Sequence, residues 1–311
     1  MLSLPLIATL ATASVAVDRW IGEPQTAHPL VAFGKLAARI ETRLNTGVRA
    51  RLMGIVAWLL TVGPPVVIAA WLVAVLPFTY ACVLHVALLW FALGARSLHD
   101  HIAPIARALA KRDLAQARVL TSRIVSRETA HADEGALSRA AVESALENGN
   151  DAIFGALFWF AVFGGPGALM FRLANTLDAM WGYRTPRYLR FGWAAARFDD
   201  VLNWIPARLT AASYALLGDT RTALRCWREQ AHRWDSPNAG PVMASGAGSL
   251  NVQIGGPAVY HGAIEQRPTL GMGRAATAQH VTAALMLVER TLFLWLAALI
   301  VLALLSVPFH V

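Results

Sequence analysis

Apolar residues in this chain come in long blocks, not in the short period of a soluble amphipathic helix. Residues 2–17, 52–76, 78–95, 152–171 and 291–307 are nearly all apolar, and no Lys or Arg occurs in 1–18, 52–95, 140–171 or 291–311. A bilayer core about 30 Å thick needs about 20 apolar residues per helix, and a charge at its centre costs about 2.5–3.5 kcal/mol. The pattern predicts an all-α, polytopic integral membrane protein organised as a single membrane-embedded domain over residues 1–311. The first block has its first cation, Arg19, behind it and none before it, which is the pattern of a retained helix and not of a cleaved signal peptide.

Blocks 52–76 and 78–95 are separated by Pro77 alone and read as a hairpin that returns to its starting side. The block 152–171 is interrupted by Gly164-Gly-Pro-Gly167. A complete crossing there would carry Arg172, Arg184, Arg187, Arg190 and Arg197 away from the other basic segments, so this block is expected to be a re-entrant or broken helical hairpin. Residues 205–217 read as a short embedded helix, because Arg208 lies inside them, and 219–233 as a surface helix. From 236 to 273 the chain turns to Gly, Pro, Ser and Asn, which means an ordered loop region if it carries function and a linker if it does not.

Composition sharpens this picture. Of 311 residues 56% are hydrophobic and 15% charged, against about 25% charged in an ordinary soluble domain. The net charge of +8 is carried by arginine, since Lys35 and Lys111 are the only lysines, and it favours anionic partners such as lipid headgroups or phosphorylated ligands. No reading helix or zinc pattern accompanies it, so nucleic acid is excluded as a partner. The basic segments 19–51 and 96–139 assign themselves to the cytoplasm by the positive-inside rule, which makes this a multi-pass protein of the bacterial inner membrane. Cys82 and Cys226 have no metal-like spacing and read as free thiols.

Arg139, Glu143 and Glu147 share one helix face, with Asn148 and Asp151 just beyond. Such a stripe is either a solvated ion-pair ladder or a functional set of carboxylates entering a membrane block. Asn175 and Asp178 share a second face, and Asp199, Asp200 and Asn203 form a third cluster beside Arg197 and Arg208. Oxygen ligands of this kind suit Mg²⁺, and each cluster taken alone equally suits a helix cap or surface ion pair. Arg184, Arg187 and Arg190 among Tyr183, Tyr188 and Phe191 form either an anion clamp or a membrane-surface girdle. No GxxxxGK[ST] loop, GxSxG elbow or HExxH occurs. His85, inside an apolar block, reads as a packed or hydrogen-bonded helix residue.

Asp18-Arg-Trp-Ile-Gly-Glu-Pro24 with His28-Pro29, Arg139-Ala-Ala-Val-Glu-Ser144 with Glu147-Asn148, and Asn175-Thr-Leu-Asp178 resemble motifs of the CbiB/CobD family of cobinamide-phosphate synthases. Gly182-Tyr183, Ala196-Arg-Phe-Asp-Asp200, Ile205-Pro-Ala-Arg-Leu-Thr210, Ser236-Pro-Asn238 and Gly255-Gly-Pro257 continue the resemblance in family order. Ser126-Arg-Glu-Thr129 and Asn148-Gly-Asn-Asp-Ala152 depart from the family's usual runs.

The resemblance implies a ligase of late cobalamin assembly. ATP and Mg²⁺ would drive amide formation between adenosylcobyric acid and (R)-1-amino-2-propanol phosphate, giving adenosylcobinamide phosphate at a cytoplasm-facing site. It implies that Glu143, Glu147, Asp178, Asp199 and Asp200 hold Mg²⁺ or act as base, with Asp178, Asp199 and Asp200 the metal set. Asn148 and Asn175 would orient substrate, Arg184, Arg197 and Arg208 would bind phosphate, and His28, Ser236 and Asn238 would shape the pocket. The expected partners are the corrinoid, the aminopropanol phosphate, membrane lipid and other membrane enzymes of late cobalamin assembly. The alternatives are an AmpE-like membrane regulator and a corrinoid permease.

Overall fold

The structure, a computed structural model, describes residues 2–23, 29–47, 49–260 and 262–306, so the expectation for His28 lies outside the described residues. In chain order its helices begin with α1 (Leu4–Ile21), α2 (Pro29–Leu44), α3 (Ala50–Val75), α4 (Phe78–Ala92), α5 (Ala95–Ala110) and α6 (Leu114–Thr121). There follow α7 (Glu134–Gly149), a π-helical segment (Asn150–Phe154), α8 (Gly155–Trp181), α9 (Trp193–Leu217), α10 (Thr220–Gln230), a 3₁₀ turn (Ala231–Arg233) and α11 (Ala239–Ser249). Strands β1 (Val252–Gly255), β2 (Ala258–Tyr260), β3 (Ala263–Glu265), β4 (Thr269–Gly271) and β5 (Arg274–Ala275) precede the closing helix α12 (Ala278–Ser306).

Among the described residues five helical stretches are long and apolar enough to cross a membrane: Leu4–Ile21, Ala50–Val75, Phe78–Ala110, Glu134–Trp181 and Ala278–Ser306. The outer faces of these helices are themselves apolar. On α3 alone Leu59, Leu60, Val67, Ile68, Trp71 and Val75 are exposed, an arrangement that water would penalise and hydrocarbon accepts. The chain is an all-α polytopic membrane protein. Contacts divide it into two compact units.

The first unit comprises residues 1–94, 155–203 and 298–311. Its core gathers Ala57, Trp58, Leu173, Leu177, Trp181, Phe191 and Ala195. Trp58 stacks on Phe198 with ring centroids 4.4 Å apart, and Trp181 meets Phe191 edge-on at 5.2 Å, which fixes the start of α9 against α3 and α8.

Helix α8 is folded back on itself. Gly164 has φ 66° and ψ −154°, outside the helical region and open to glycine alone. A Cβ on Gly155 would lie 2.0 Å from the ring of Phe171, and one on Gly167 would lie 2.3 Å from the Trp159 carbonyl. In a continuous helix rising 1.5 Å per residue those pairs would be far apart, so the two arms form a tight broken hairpin. The break orphans backbone donors, and buried His85 meets one: the Gly165 N–H donates to His85 Nδ1 at 2.8 Å. The Trp159 indole N–H donates to the Leu202 carbonyl at 2.9 Å, the acceptor that Pro206, lacking an N–H, cannot serve within α9.

The second unit comprises residues 95–154 and 204–297. Asp113, Asp133 and Asp219 cap α6, α7 and α10 by accepting from Gln116, Ala136 and Thr222 backbone N–H groups. The expected helix at 205–217 is the later half of the longer α9, which continues from the acidic run 199–203 without interruption. The Gly-rich stretch is ordered: α11 is buried, and β1 pairs antiparallel with β4 and parallel with β5, while β2 and β3 form a hairpin. Gly255 and Gly256, at φ 76° and 75°, turn the chain between β1 and β2, which accounts for the Gly255-Gly-Pro257 motif. Gln230 closes the packing, giving its amide N–H to the Gly271 carbonyl at 3.1 Å and accepting the Gly271 N–H at 2.7 Å.

Candidate active site

In the first unit α8 and the first turns of α9 bring together most of the residues singled out there. Asn175 donates to Asp199 Oδ1 at 3.3 Å, and Asn203 donates to Asp199 Oδ2 at 3.1 Å. Asp178 stands within electrostatic reach of Asp199 and Asp200. Gly182 follows it because a Cβ there would come within 2.1 Å of Asp178 Oδ1. Arg197 holds Asp200 at 3.3 Å, and the charge of Arg184 also acts on Asp200.

Crowding shows in the acidities of the two α9 carboxylates. Burial pushes Asp199 up to about 6, opposed by the amides of Asn203 and Asn175 and reinforced by the Asp200 charge. Burial also raises Asp200 against the pull of Arg197. Asp178, Asp199 and Asp200, expected together as metal ligands, do not converge as a ready-made cage: among the described residues no three or more His, Cys, Asp or Glu do. Asn175 and Asn203 each donate to one Asp199 oxygen and Arg197 to one of Asp200, which leaves lone pairs on these carboxylates for a further ligand. Arg187, in the possible clamp, is turned to structural use, its guanidinium bonding Glu41 at 3.0 and 2.6 Å.

In the second unit Glu143 is buried and fully engaged. It accepts from Arg127, from Arg267 Nη1 at 3.0 Å, and from the Gly255 backbone N–H at 2.7 Å. The expected ladder partner Arg139 is not among these, so the carboxylate serves as an anchor for the Gly255-Gly-Pro257 turn. Glu147 is partly buried on the same side, and Asn148 donates to the Ser144 carbonyl and hydroxyl at 3.0 Å. The π-helical turn begins directly after, where Asn150 donates to Asp151 at 2.9 Å and accepts from the Thr210 hydroxyl at 3.1 Å. Such bulges often mark functional sites, and the departing run 148–152 leads from the end of α7 into this one. Arg208 donates to Asn238 Oδ1 at 3.0 Å and the Pro237 carbonyl at 3.3 Å. The Ser236 hydroxyl accepts the Asn238 and Ala239 N–H groups, which makes it the turn that starts α11.

Against known proteins, the family described as CobD/Cbib protein matches residues 11–288. The chain belongs to the CobD/Cbib family. It is 54% identical over 289 residues to the cobalamin biosynthesis protein CobD of Stutzerimonas stutzeri, covering 92% of this chain and 95% of that one. It is 50% identical over 304 residues to that of Chromobacterium violaceum, covering 96% and 97%, and 41% identical over 264 residues to that of Mycobacterium tuberculosis, covering 83% and 84%. No solved structure matches it. The chain therefore has a role in cobalamin biosynthesis, as these CobD proteins do by name.

In this member of the CobD/Cbib family two partners of Glu143 escaped the sequence reading. Arg127 sits in the departing run 126–129, and Arg267 in the Gly-rich stretch, and neither has a helical spacing to Glu143. The usable signal was Glu143 itself, a carboxylate among the apolar residues of α7, which demanded a cation to pair with it.

Proposed function

We propose that the chain is the ligase that joins adenosylcobyric acid to (R)-1-amino-2-propanol phosphate, using ATP and giving adenosylcobinamide phosphate. The observation that carries this reading is the oxygen-rich cluster of Asp178, Asp199, Asp200, Asn175 and Asn203 beside Arg184 and Arg197, in a chain aligned almost end to end with cobalamin biosynthesis proteins.

A free carboxylate does not accept an amine. The corrin propionate oxygen would attack the γ-phosphorus of ATP, releasing ADP and leaving an acyl phosphate; the amine nitrogen would then attack the acyl carbon, and inorganic phosphate would leave. Arg184 and Arg197 hold the phosphate of the amine substrate in this reading, and a carboxylate side chain of α9 receives the proton that the ammonium sheds before its nitrogen attacks. The donor set fits Mg²⁺ in its usual manner, one or two carboxylates with waters and substrate phosphates, and that ion would neutralise phosphate charge when bound. Asp178 and Asp199 are the residues that would hold it. In the second unit Arg208 and Asn238 would hold a phosphate and Glu147 and Asn148 orient substrate, while Glu143 acts through the turn it anchors. The basic segments 19–51 and 96–139 support a cytoplasm-facing site in the bacterial inner membrane. Other membrane enzymes of late cobalamin assembly are the natural partners.

The test is purified protein with the corrinoid, the amine phosphate, ATP and Mg²⁺, followed by mass spectrometry. Amide product matched one to one by ADP is expected. No product from well-folded protein, or product formed without ATP, would reject the reading.

A further inference from the structure

Within the second unit the end of α10, the 3₁₀ turn, the start of α11 and Arg208 of α9 line an open cleft of about 720 Å³, inside the range of about 300–1,000 Å³ typical of small-molecule sites. Arg208, Trp227, Arg228, His232, Trp234 and Asp235 line it. The lining thus sets two indoles beside two guanidiniums and an imidazole, with one carboxylate against them.

Arg208 is placed by its surroundings. Arg208 spends three of its five N–H donors on the Trp204 carbonyl, Asn238 and the Pro237 carbonyl, and its guanidinium lies 4.3 Å over the Trp204 ring. Its orientation is therefore fixed while donors remain for a ligand. On α10 Glu229 pairs with Arg225 at 3.2 Å, and Arg228 shares the cleft lining with Asp235. Arg267 lies 5.4 Å over the Trp234 ring, bracing that indole from outside the cleft lining. A phosphate alone would need only the guanidiniums, and a phospholipid headgroup has no planar ring to place on an indole.

We infer that this cleft takes a phosphorylated ligand bearing a planar ring, of the nucleotide class, with the ring against Trp227 or Trp234 and phosphate at Arg208 and Arg228. The choice of ATP as its probe rests on the ligase reading above. Base stacking on an aromatic side chain contributes about 1–3 kcal/mol, and guanidinium bonds to phosphate are among the stronger charge-assisted ones.

The experiment uses the full chain in phosphatidylcholine nanodiscs, titrated with ATP, with inorganic phosphate and with nanodiscs containing phosphatidylglycerol as separate arms. Arg228→Ala and Trp227→Leu should each weaken ATP binding at least about tenfold. Inorganic phosphate should bind more weakly than ATP, phosphatidylglycerol should not displace ATP, and 8-azido-ATP should label the peptide 220–241. Arg228 is exposed, so its variant folds even if Trp227→Leu does not. Wild-type affinity in Arg228→Ala, labelling confined to other peptides, displacement by phosphatidylglycerol, or no ATP binding would each overturn the assignment. Amide formation with the label elsewhere would sink the cleft and leave the ligase reading standing. A labelled cleft without amide formation would do the reverse.

Discussion

Glu143 and Asp199 are both carboxylates near membrane segments, yet their surroundings give them different work. Buried Glu143 is neutralised by Arg127 and Arg267 and tied to the Gly255 N–H, so Glu143→Gln leaves two partly buried guanidiniums without their counter-charge. Loss of one partner from a buried ion pair costs about 3–5 kcal/mol, and the variant should show this as a large drop in unfolding temperature in detergent. Asp199 is crowded by amides and by Asp200, with no cation bonded to it among the described residues. Asp199→Asn should therefore fold normally and form no amide product; wild-type turnover would remove Asp199 from the mechanism.

Its acidity gives a signed pH dependence. With a folded value of about 6 and an unfolded one of about 3.9, the fold binds the proton more tightly than the unfolded chain between those limits. This group's contribution to stability in the absence of Mg²⁺ is thus fullest at low pH and falls as pH rises through about 6. Mg²⁺ competes with the same proton, so its stabilisation should appear as pH rises through about 6 and vanish below it. Melting curves at pH 5 and pH 7, with and without Mg²⁺, check both, and Asp199→Asn should flatten both.

At the scale of elements, the broken hairpin of α8 is the device most exposed to small changes. Gly167→Ala puts a methyl against the Trp159 carbonyl, where 2.3 Å is available, whereas a Cβ on Gly63 in α3 meets no atom within 4 Å. Gly167→Ala should destabilise the protein by more than about 1 kcal/mol and Gly63→Ala by less, measured by chemical unfolding in the same detergent. The π-helical turn after α7 offers a second test. Thr210→Val removes the buried donor to Asn150 and should cost about 1–3 kcal/mol, with loss of activity if the turn positions Asn148. The hairpin itself was legible, because Gly-Gly-Pro-Gly within an apolar block has few other uses. The length of α9 was not: the apolar stretch 205–217 with Arg208 inside it read as a short embedded helix of its own, but it is the later half of Trp193–Leu217, and the Arg208 donors are met by Trp204, Pro237 and Asn238.

For the whole molecule, the positive-inside assignment predicts that Lys111→Cys, in a background with Cys82 and Cys226 replaced by Ser, reacts with an impermeant thiol reagent only after the inner face is opened. Labelling of intact cells would invert the topology and move the site from the cytoplasm. The apolar outer faces of α3 and α4 also predict that the protein leaves solution when detergent is withdrawn.

The sequence by itself determined the membrane class, the helical blocks, the broken hairpin and the family. Each of these follows from local rules, since a run of uncharged residues, a glycine-proline break or an ordered series of motifs is complete within its own stretch of chain. Only the tertiary structure decided which charges meet. Glu143 finds Arg127 and Arg267, Glu41 finds Arg187, and Asp199 finds Asn175, across separations that no helical period encodes. Burial forces every such group to be satisfied but leaves the choice of partner to the packing of helices far apart in sequence.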